Sequence, residues 1–184
     1  MKRDLIQSDK RRLVWIIITG GVAVLGSYIY GFSSQPGAAD ILWGGVPQGM
    51  RPIYSVNMLL ASAGFFIFTY FVLFHINSSE HLVSNRYRFG VFHILYAGIL
   101  YPSAIWLPLT FAAVMESSII LLWLVRIALV VVGLASLELF VTLLRLKPKQ
   151  FTLMYWLAII GCGFFSVQTV ILDGIVWNFF FRLS

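Results

Sequence analysis

Three ionisable residues, Arg126, Glu138 and Asp173, lie inside long apolar segments of this 184-residue chain. A charged side chain at the centre of a bilayer costs about 2.5–3.5 kcal/mol on insertion scales, so such residues usually face a bundle interior or a cavity and find polar partners. The chemistry that these residues can perform is therefore the binding of charge or of polar groups. Which partners they meet is the first question that the sequence raises.

Glu138 is the least able of the three to reach water. It precedes Arg145 by seven residues, which corresponds to ~10 Å along a helix, and its side chain is short. Residues at a similar depth in the other apolar segments predict a polar layer, the first candidate for a ligand site. We expect Glu138 to be buried there and hydrogen-bonded to His93 or Tyr96. The layer comprises Glu138, Thr142, His93, Tyr96, Tyr70 and Thr19.

Arg126 and Asp173 lie in consecutive apolar segments that are joined by the short connection RLKPKQ. Short connections usually join antiparallel neighbours, and counting from this one places the two residues ~6 Å apart in height at the usual helical rise. We therefore predict an interhelical ion pair between Arg126 and Asp173; in the alternative, each side chain reaches the interface separately. At α-helical spacing Asp173 shares a small, polar face with four residues. They are Cys162, Ser166, Thr169 and Trp177.

Sequence motifs for catalysis are absent. The chain has no phosphate-binding loop, no His-Glu-x-x-His, no Gly-x-Ser-x-Gly and no Cys-x-x-Cys. Its single cysteine, Cys162, excludes a disulfide within the chain and a multi-cysteine metal site. His75, His81 and His93 lie near one end of the second and third apolar segments, where histidines are common without a metal. We therefore predict no enzyme activity, no catalytic residue and no metal site, and the sequence leaves any cofactor unknown.

Composition predicts the elements that carry these residues. Hydrophobic residues make up 60% of the chain and charged residues 11%, whereas a soluble domain carries about 25% charged residues. Five apolar runs reach the roughly 20 residues that a helix needs to cross a bilayer. We predict an all-α integral membrane protein, a single domain (1–184) formed by a bundle of five transmembrane helices. The predicted spans are 13–31, 53–76, 89–114, 119–144 and 151–181.

The basic residues predict the orientation of this bundle. With a cytoplasmic N-terminus, all of the 13 Lys and Arg residues except Arg51, Arg126 and Arg182 lie on the cytoplasmic side, as the positive-inside rule requires. The C-terminus is then on the opposite side. This orientation accounts for the net charge of +6, so we predict no nucleic-acid partner. The predicted location is a bacterial inner membrane or a eukaryotic organelle membrane.

The segment 32–52 is predicted to be an external loop. Its Gly and Pro residues exclude a long regular helix, whereas residues such as Trp43 and Val46 are too apolar for a freely solvated linker. We expect the loop to fold back over the outer end of the bundle as a lid, with Trp43 at the interface.

In outline the chain resembles the TspO (translocator protein) family, which has five helices, a similar length and a long first loop. Trp43, followed by Pro47, Pro52 and Tyr54, and the sequence WLP at 106–108 carry the resemblance. The chain departs from the family pattern where GG follows Trp43, since the family has paired prolines there. It also has ILDG where the family has a Leu-Asn-Tyr element. The resemblance implies porphyrin- or sterol-like ligands.

Two functional interpretations remain open at this stage. In the first, the protein binds or moves a small hydrophobic ligand in an intramembrane pocket that contains the polar layer. In the second, it is a non-catalytic structural or accessory subunit of a larger membrane complex, or a homo-oligomer, because its loops are short and no soluble domain is available for chemistry. The lipid bilayer is a partner in both.

Overall fold

The computed structural model of the chain describes residues 2–76, 89–146 and 152–183, with side chains from residue 8 onward. Every regular element in these ranges is helical. The elements are α1 (Lys2–Ser34), α2 (Ala38–Trp43), a 3-10 turn (Gln48–Met50), α3 (Arg51–Phe74), α4 (Gly90–Met115), α5 (Ile119–Leu144), α6 (Leu153–Ser166), a π-helical segment (Val167–Trp177) and α7 (Asn178–Phe180).

Five helical stretches are long and apolar enough to cross a membrane, as the sequence predicted. They are Ser8–Ser34, Gln48–Phe74, Gly90–Met115, Ile119–Leu144 and Leu153–Phe180. The bounds of α3 to α5 lie within two residues of the predicted spans, and α1 begins earlier than predicted, at Lys2. In the last stretch, α6, the π-helical segment and α7 follow one another without a break.

Hydroxyl side chains cap the N-termini of two of the long helices. The Ser118 side chain accepts a hydrogen bond from the backbone N–H of Leu121 at the start of α5, and the Thr152 side chain accepts one from Tyr155 at the start of α6. Such caps satisfy backbone donors that have no partner within the helix. The turn that leads into α5 also contains Ser117 at a positive φ of 46°.

The long helices pack in the order α1, α4, α5, α6 and α3. The packed pairs are α1 with α4, α4 with α5, α5 with both α6 and the π-helical segment, and α6 with α3. The predicted contact between the fourth and fifth spans is therefore confirmed. The ammonium group of Lys10 donates to the backbone carbonyl of Leu73 (2.7 Å), which joins α1 to α3 near the N-terminal end of the bundle.

Glycines allow the closest helix–helix contacts. A Cβ added to Gly64 on α3 would lie 2.7 Å from the Cα of Gly161 on α6, and a Cβ added to Gly20 on α1 would lie 2.6 Å from the Cβ of Leu100 on α4. Only a residue without a side chain allows backbones to approach in this way. Small residues therefore set the spacing of two of the four packed pairs.

Apolar side chains cover both the inside and the outside of this bundle. The interior at the N-terminal end is filled by rings and branched aliphatic side chains such as Phe68, Phe92 and Leu139, each without accessible surface. The outside exposes large apolar side chains along every long helix, for example Val22 (65% exposed) and Leu59 (74%). A surface of this kind would be unstable in water, which agrees with a membrane location.

Candidate functional site

The predicted polar layer does not form. Glu138 is exposed on the outer surface of α5, and Tyr70 and Thr19 are exposed on α3 and α1. The Thr19 hydroxyl instead lies 3.1 Å from the hydroxyl of Tyr101 on α4. The expectation that Glu138 is buried is therefore wrong, because depth along a helix does not determine which way the side chain faces.

Three members of the predicted layer are buried or half-buried in the bundle, namely Tyr96, Thr142 and His93, and none of the described hydrogen bonds joins them to Glu138. The Tyr96 hydroxyl, fully buried, is 3.0 Å from the Thr69 hydroxyl. His93 is half-buried and its Nε2 lies 2.8 Å from the backbone carbonyl of Asp9 on α1. The predicted hydrogen bond from Glu138 to His93 or Tyr96 is thus also wrong, since both side chains have partners on other helices.

The predicted ion pair between Arg126 and Asp173 is absent from the part of the chain that the structure describes. The guanidinium carbon of Arg126 lies 5.0 Å from the centroid of the Trp123 ring, and its Nε has no hydrogen-bond partner there. Asp173 accepts a hydrogen bond from Gln168 instead. The Arg126 side chain does not reach Asp173 because it packs on the ring of Trp123, three residues earlier on the same helix.

Asp173 is instead the end of a chain of amide and carboxyl groups that links two helices. The amide nitrogen of Asn57 on α3 donates to Gln168 Oε1 (3.0 Å), and Gln168 Nε2 donates to Asp173 Oδ1 (2.9 Å). The Asn57 nitrogen also lies 3.2 Å from the Phe164 carbonyl. Asn57 and Gln168 are both buried. Their hydrogen bonds offset much of the cost of placing polar groups in an apolar interior.

The π-helical segment brings Gln168 and Asp173 to the same face. Residues five apart are about 140° apart around an α-helix, at 3.6 residues per turn, whereas π-helical hydrogen bonding connects residues i and i+5. The same spacing brings Gly174 close to Thr169: a Cβ added to Gly174 would lie 2.9 Å from the Thr169 carbonyl oxygen. Any larger residue at position 174 would crowd this carbonyl oxygen, so the π-helical winding favours glycine there. Short π-helical insertions are rare and occur frequently at functional sites.

Aromatic rings meet near Asp173 at the end of the bundle where α1 ends and α3 begins, here called the loop end. The Trp106 ring is edge-on to Trp177 (centroids 5.9 Å apart) and to Tyr28 (6.4 Å). The Tyr28 ring thus reaches Trp177 through Trp106, and Trp177 lies four residues after Asp173 in the π-helical segment. The Tyr54 hydroxyl donates to the Leu172 carbonyl, next to Asp173 in sequence. α1, α3, α4 and the π-helical segment thus contribute rings to one region.

The loop between α1 and α3 folds back over this end, which confirms the predicted course of the chain. Ala38 and Val46 are buried, and the indole N–H of Trp177 donates to the Leu42 carbonyl (2.8 Å). Trp43 is half-buried with its ring edge-on to Tyr54 (5.7 Å) and beneath the Arg51 guanidinium (5.4 Å). Trp43 therefore covers the loop end on the α3 side.

These residues define one site, which we call the loop-end cluster. Its members are Tyr28, Tyr54, Trp106, Gln168, Asp173 and Trp177. Protein surrounds Asp173 on most sides, yet the residue keeps accessible surface, and its Oδ2 has no hydrogen-bond partner among the residues described. A carboxyl oxygen in this position is able to meet a polar or charged group that enters among the rings.

Sequence reasoning missed Gln168 and Asn57, although a signal for each was present. Gln168 follows Val167 and Asn57 follows Val56, so each is a large polar side chain in an apolar run. Amide side chains in such runs usually hydrogen-bond across helices. The α-helical spacing that grouped Asp173 with Thr169 excluded Gln168, because the π-helical winding was not anticipated.

No group of three His, Cys, Asp or Glu residues suited to a metal ion occurs within residues 8–76, 89–146 and 152–183. His81, one of the three histidines of the chain, lies outside the described residues. A shallow apolar groove of about 430 Å³ also runs along the outside of α5 and α6, lined by residues such as Phe140 and Val167. None of the loop-end cluster lines it.

Searches against protein-family models, curated proteins and solved structures find no significant match to this chain. Its class is therefore defined by the fold alone, as an all-helical protein with five helices of membrane-spanning length. The activity has to be inferred from the side chains of the loop-end cluster.

Proposed function

We propose that the protein binds or moves a small, largely hydrophobic ligand at the loop-end cluster. The observation that carries the proposal is the Asp173 carboxyl, which is held by Gln168 at Oδ1 and has no described partner at Oδ2. The proposed site thus differs from the polar layer predicted from the sequence. It lies beneath the loop lid rather than near the N-terminal end of the bundle.

The cost of placing a carboxyl group in this position supports the proposal. An ionisable side chain inside a membrane is expensive, and such residues commonly belong to substrate or ion pathways. Asp173 makes no ion pair within the described residues, and its one side-chain hydrogen bond comes from a neutral amide. A leucine would fill the position without that cost. A ligand that contacts the free oxygen Oδ2 would offset the cost of the carboxyl group.

The surroundings of Asp173 are those of a ligand site. Binding sites for small molecules are mostly apolar and aromatic, with a few polar groups that fix orientation. Trp106, Tyr28 and Trp177 supply rings from three different elements, and Asp173 with Gln168 supplies the polar groups. The lid over them is fastened to the π-helical segment by the hydrogen bond from Trp177 to Leu42. Breaking that hydrogen bond would free the lid and let a ligand enter.

The proposal is tested by native mass spectrometry of the protein purified in mild detergent. Wild type should carry a small molecule that Trp106→Ala loses, because that substitution removes the ring between Tyr28 and Trp177. Trp123→Ala is the matched control, since Trp123 is 55% exposed on α5 and outside the cluster. Retention of the same molecule by both variants, or an empty wild type that no ligand library stabilises, would contradict the proposal.

A second candidate function is that of a non-catalytic subunit in a larger membrane complex, and the position of Glu138 favours it. Glu138 is exposed on α5 directly after Leu137 and one turn after Leu134, both of which are exposed apolar residues. In a membrane such a carboxyl would face lipid unless a neighbouring protein covered it. Cross-linking in native membranes should then give an adduct that Glu138→Leu loses and Leu134→Ala keeps. If wild type and Leu134→Ala both remained uncross-linked monomers, the role as a subunit of a larger complex would be excluded.

Both candidate functions are non-enzymatic and share one location. We place the protein in a bacterial inner membrane or a eukaryotic organelle membrane, with a cytoplasmic N-terminus and the loop end on the opposite side. The distribution of Lys and Arg supports this orientation. Labelling of single cysteines introduced at Ser33 and Arg145 in a variant without Cys162 tests it, since a membrane-impermeant reagent should reach only the first in intact cells.

A further inference from the structure

The polar atoms that lack partners around Asp173 are hydrogen-bond acceptors. Asp173 Oδ2 has no described partner, and Asn178 Oδ1 is buried without one among the described residues. The Asn178 side chain lies against the backbone at Asp173, because its amide nitrogen is 3.4 Å from the Asp173 backbone carbonyl oxygen and 2.8 Å from that of Gly174. Two free acceptors, one of them a carboxylate, favour a ligand that carries positive charge or donates hydrogen bonds.

Three hydrogen-bond donors of the same region are already engaged. The Tyr54 hydroxyl donates to Leu172, the Trp177 indole to Leu42 and the Gln168 amide to Asp173. An anion at this position would therefore meet a carboxylate without gaining a donor from these groups.

No cationic side chain neutralises Asp173 within the described residues. Arg126 packs on Trp123, and Arg51 lies over Trp43 with its Nε 3.5 Å from the Val46 carbonyl. Each guanidinium is thus held by a ring away from the carboxyl. The negative charge of an ionised Asp173 would therefore be neutralised by a group that is not part of the chain.

The rings add a second attraction for a cation. The faces of Trp and Tyr rings attract ammonium groups, and cages of such rings are a common means of binding quaternary ammonium ligands. Tyr28, Trp106 and Tyr54 come from three different helices. They meet the π-helical segment near Asp173 through the contact of Trp106 with Trp177 and the hydrogen bond from Tyr54 to the Leu172 carbonyl. A carboxylate among aromatic rings combines charge neutralisation with this attraction in one place.

We infer that the ligand of the loop-end cluster is an organic cation, an amine or quaternary ammonium group on a hydrophobic body, with Asp173 as its counter-charge. This inference rests on the proposed ligand-binding function and specifies the class of ligand. The hydrophobic body packs among the rings of Tyr28, Trp106 and Trp177, and the cationic group approaches Asp173 Oδ2. The lid that carries Trp43 closes over the loop end.

The test uses two probes of the same shape, benzyltrimethylammonium and its uncharged carbon analogue neopentylbenzene. Binding to the full-length protein in detergent is followed by tryptophan fluorescence, with protein-free micelles as the blank. The cation should bind wild type roughly tenfold or more tightly than the neutral analogue, a difference that charge neutralisation and ring contacts would give. Asp173→Asn, which keeps the shape and an oxygen for Gln168, should remove that preference.

Glu138→Gln is the matched control, because it makes the same chemical change to a carboxyl on the outside of α5, and it should leave the preference intact. Equal binding of the two probes to wild type, or an unchanged preference in Asp173→Asn, would overturn the inference while the ligand-binding function stood. The comparison on wild type needs no variant, so it decides the matter even if Asp173→Asn does not fold. If neither probe binds and no other ligand is found, the proposed function itself fails.

Discussion

The last membrane-length helix has two halves that are built in different ways. Its first half, α6, meets α3 so closely that the backbones of Gly161 and Gly64 are in contact, and its Cys162 is fully buried. Its second half is π-helical and buries the polar side chains of Gln168 and Thr169. The first half is positioned by glycines, which have no side chain. The second half is positioned by hydrogen bonds between polar side chains.

The junction of the two halves packs against α5. The Ser136 hydroxyl lies 2.6 Å from the Thr169 hydroxyl, and the Ser166 hydroxyl donates to the Ser136 carbonyl (3.2 Å). A Cβ added to Gly133 would lie 3.2 Å from the Thr169 carbonyl. Close packing and polar contact thus meet at one place, where the winding changes. The first half thus depends on the lack of added volume at Gly161 and Gly64, whereas the second depends on hydrogen bonds between buried polar side chains.

The largest expected effect is that of added volume in the first half. Gly161→Ala places a methyl group against the backbone of Gly64, and backbone atoms yield less readily than flexible side chains. Overpacking of this kind costs about 1–3 kcal/mol, and we expect the upper end. For a chain of this size that corresponds to a fall of about 6–12 °C in the Tm. Thermal unfolding in detergent measures it.

Gly163→Ala is the matched control for Gly161→Ala, since its Cβ would meet only a Phe140 ring carbon at 3.6 Å. It should leave the Tm unchanged or raise it slightly, because Ala favours helix over Gly by up to about 1 kcal/mol. Equal destabilisation by the two variants would show that α6 and α3 are not held by the close approach.

A smaller effect is expected from an unpaired polar group in the second half. Gln168→Leu removes the donor to Asp173 Oδ1 and the acceptor of the Asn57 amide. A buried polar group left without its partner costs about 1–3 kcal/mol, whereas replacing both partners by apolar groups is nearly neutral. The double variant Gln168→Leu/Asp173→Leu should therefore be more stable than Gln168→Leu alone. Both are compared by the same thermal unfolding, and a double variant less stable than the single one would refute the hydrogen-bonded chain.

The difference between the halves also explains what the sequence was able to predict. Five helices, their bounds and the fold-back of the loop follow from composition, length and turn residues, which act locally and need no knowledge of neighbouring helices. The contact of α5 with the last helix follows from the short RLKPKQ connection. Local information was sufficient for all of these features.

The site depends on the rotation of each helix, which local information does not determine. Counting along helices placed Glu138 at the right depth for Tyr96, but it faces outward while Tyr96 faces the core. A layer built from depths alone therefore mixes buried and exposed residues. In the second half of the last helix, a change from α to π winding moved Gln168 onto the face of Asp173.

The smallest expected effect is the coupling between Arg126 and Asp173, which would be large if they formed an ion pair. Arg126→Ala removes the stacking on Trp123, and Asp173→Ala removes the acceptor for Gln168. These are separate local changes, so the loss in the double variant should equal the sum of the single losses within about 0.3–0.5 kcal/mol. The four proteins are compared by unfolding in detergent at equal concentration. A coupling well above that range would mean that Arg126 leaves Trp123 to meet Asp173 in the membrane. The carboxyl would then have its counter-charge within the chain, and the site would no longer require a cationic ligand.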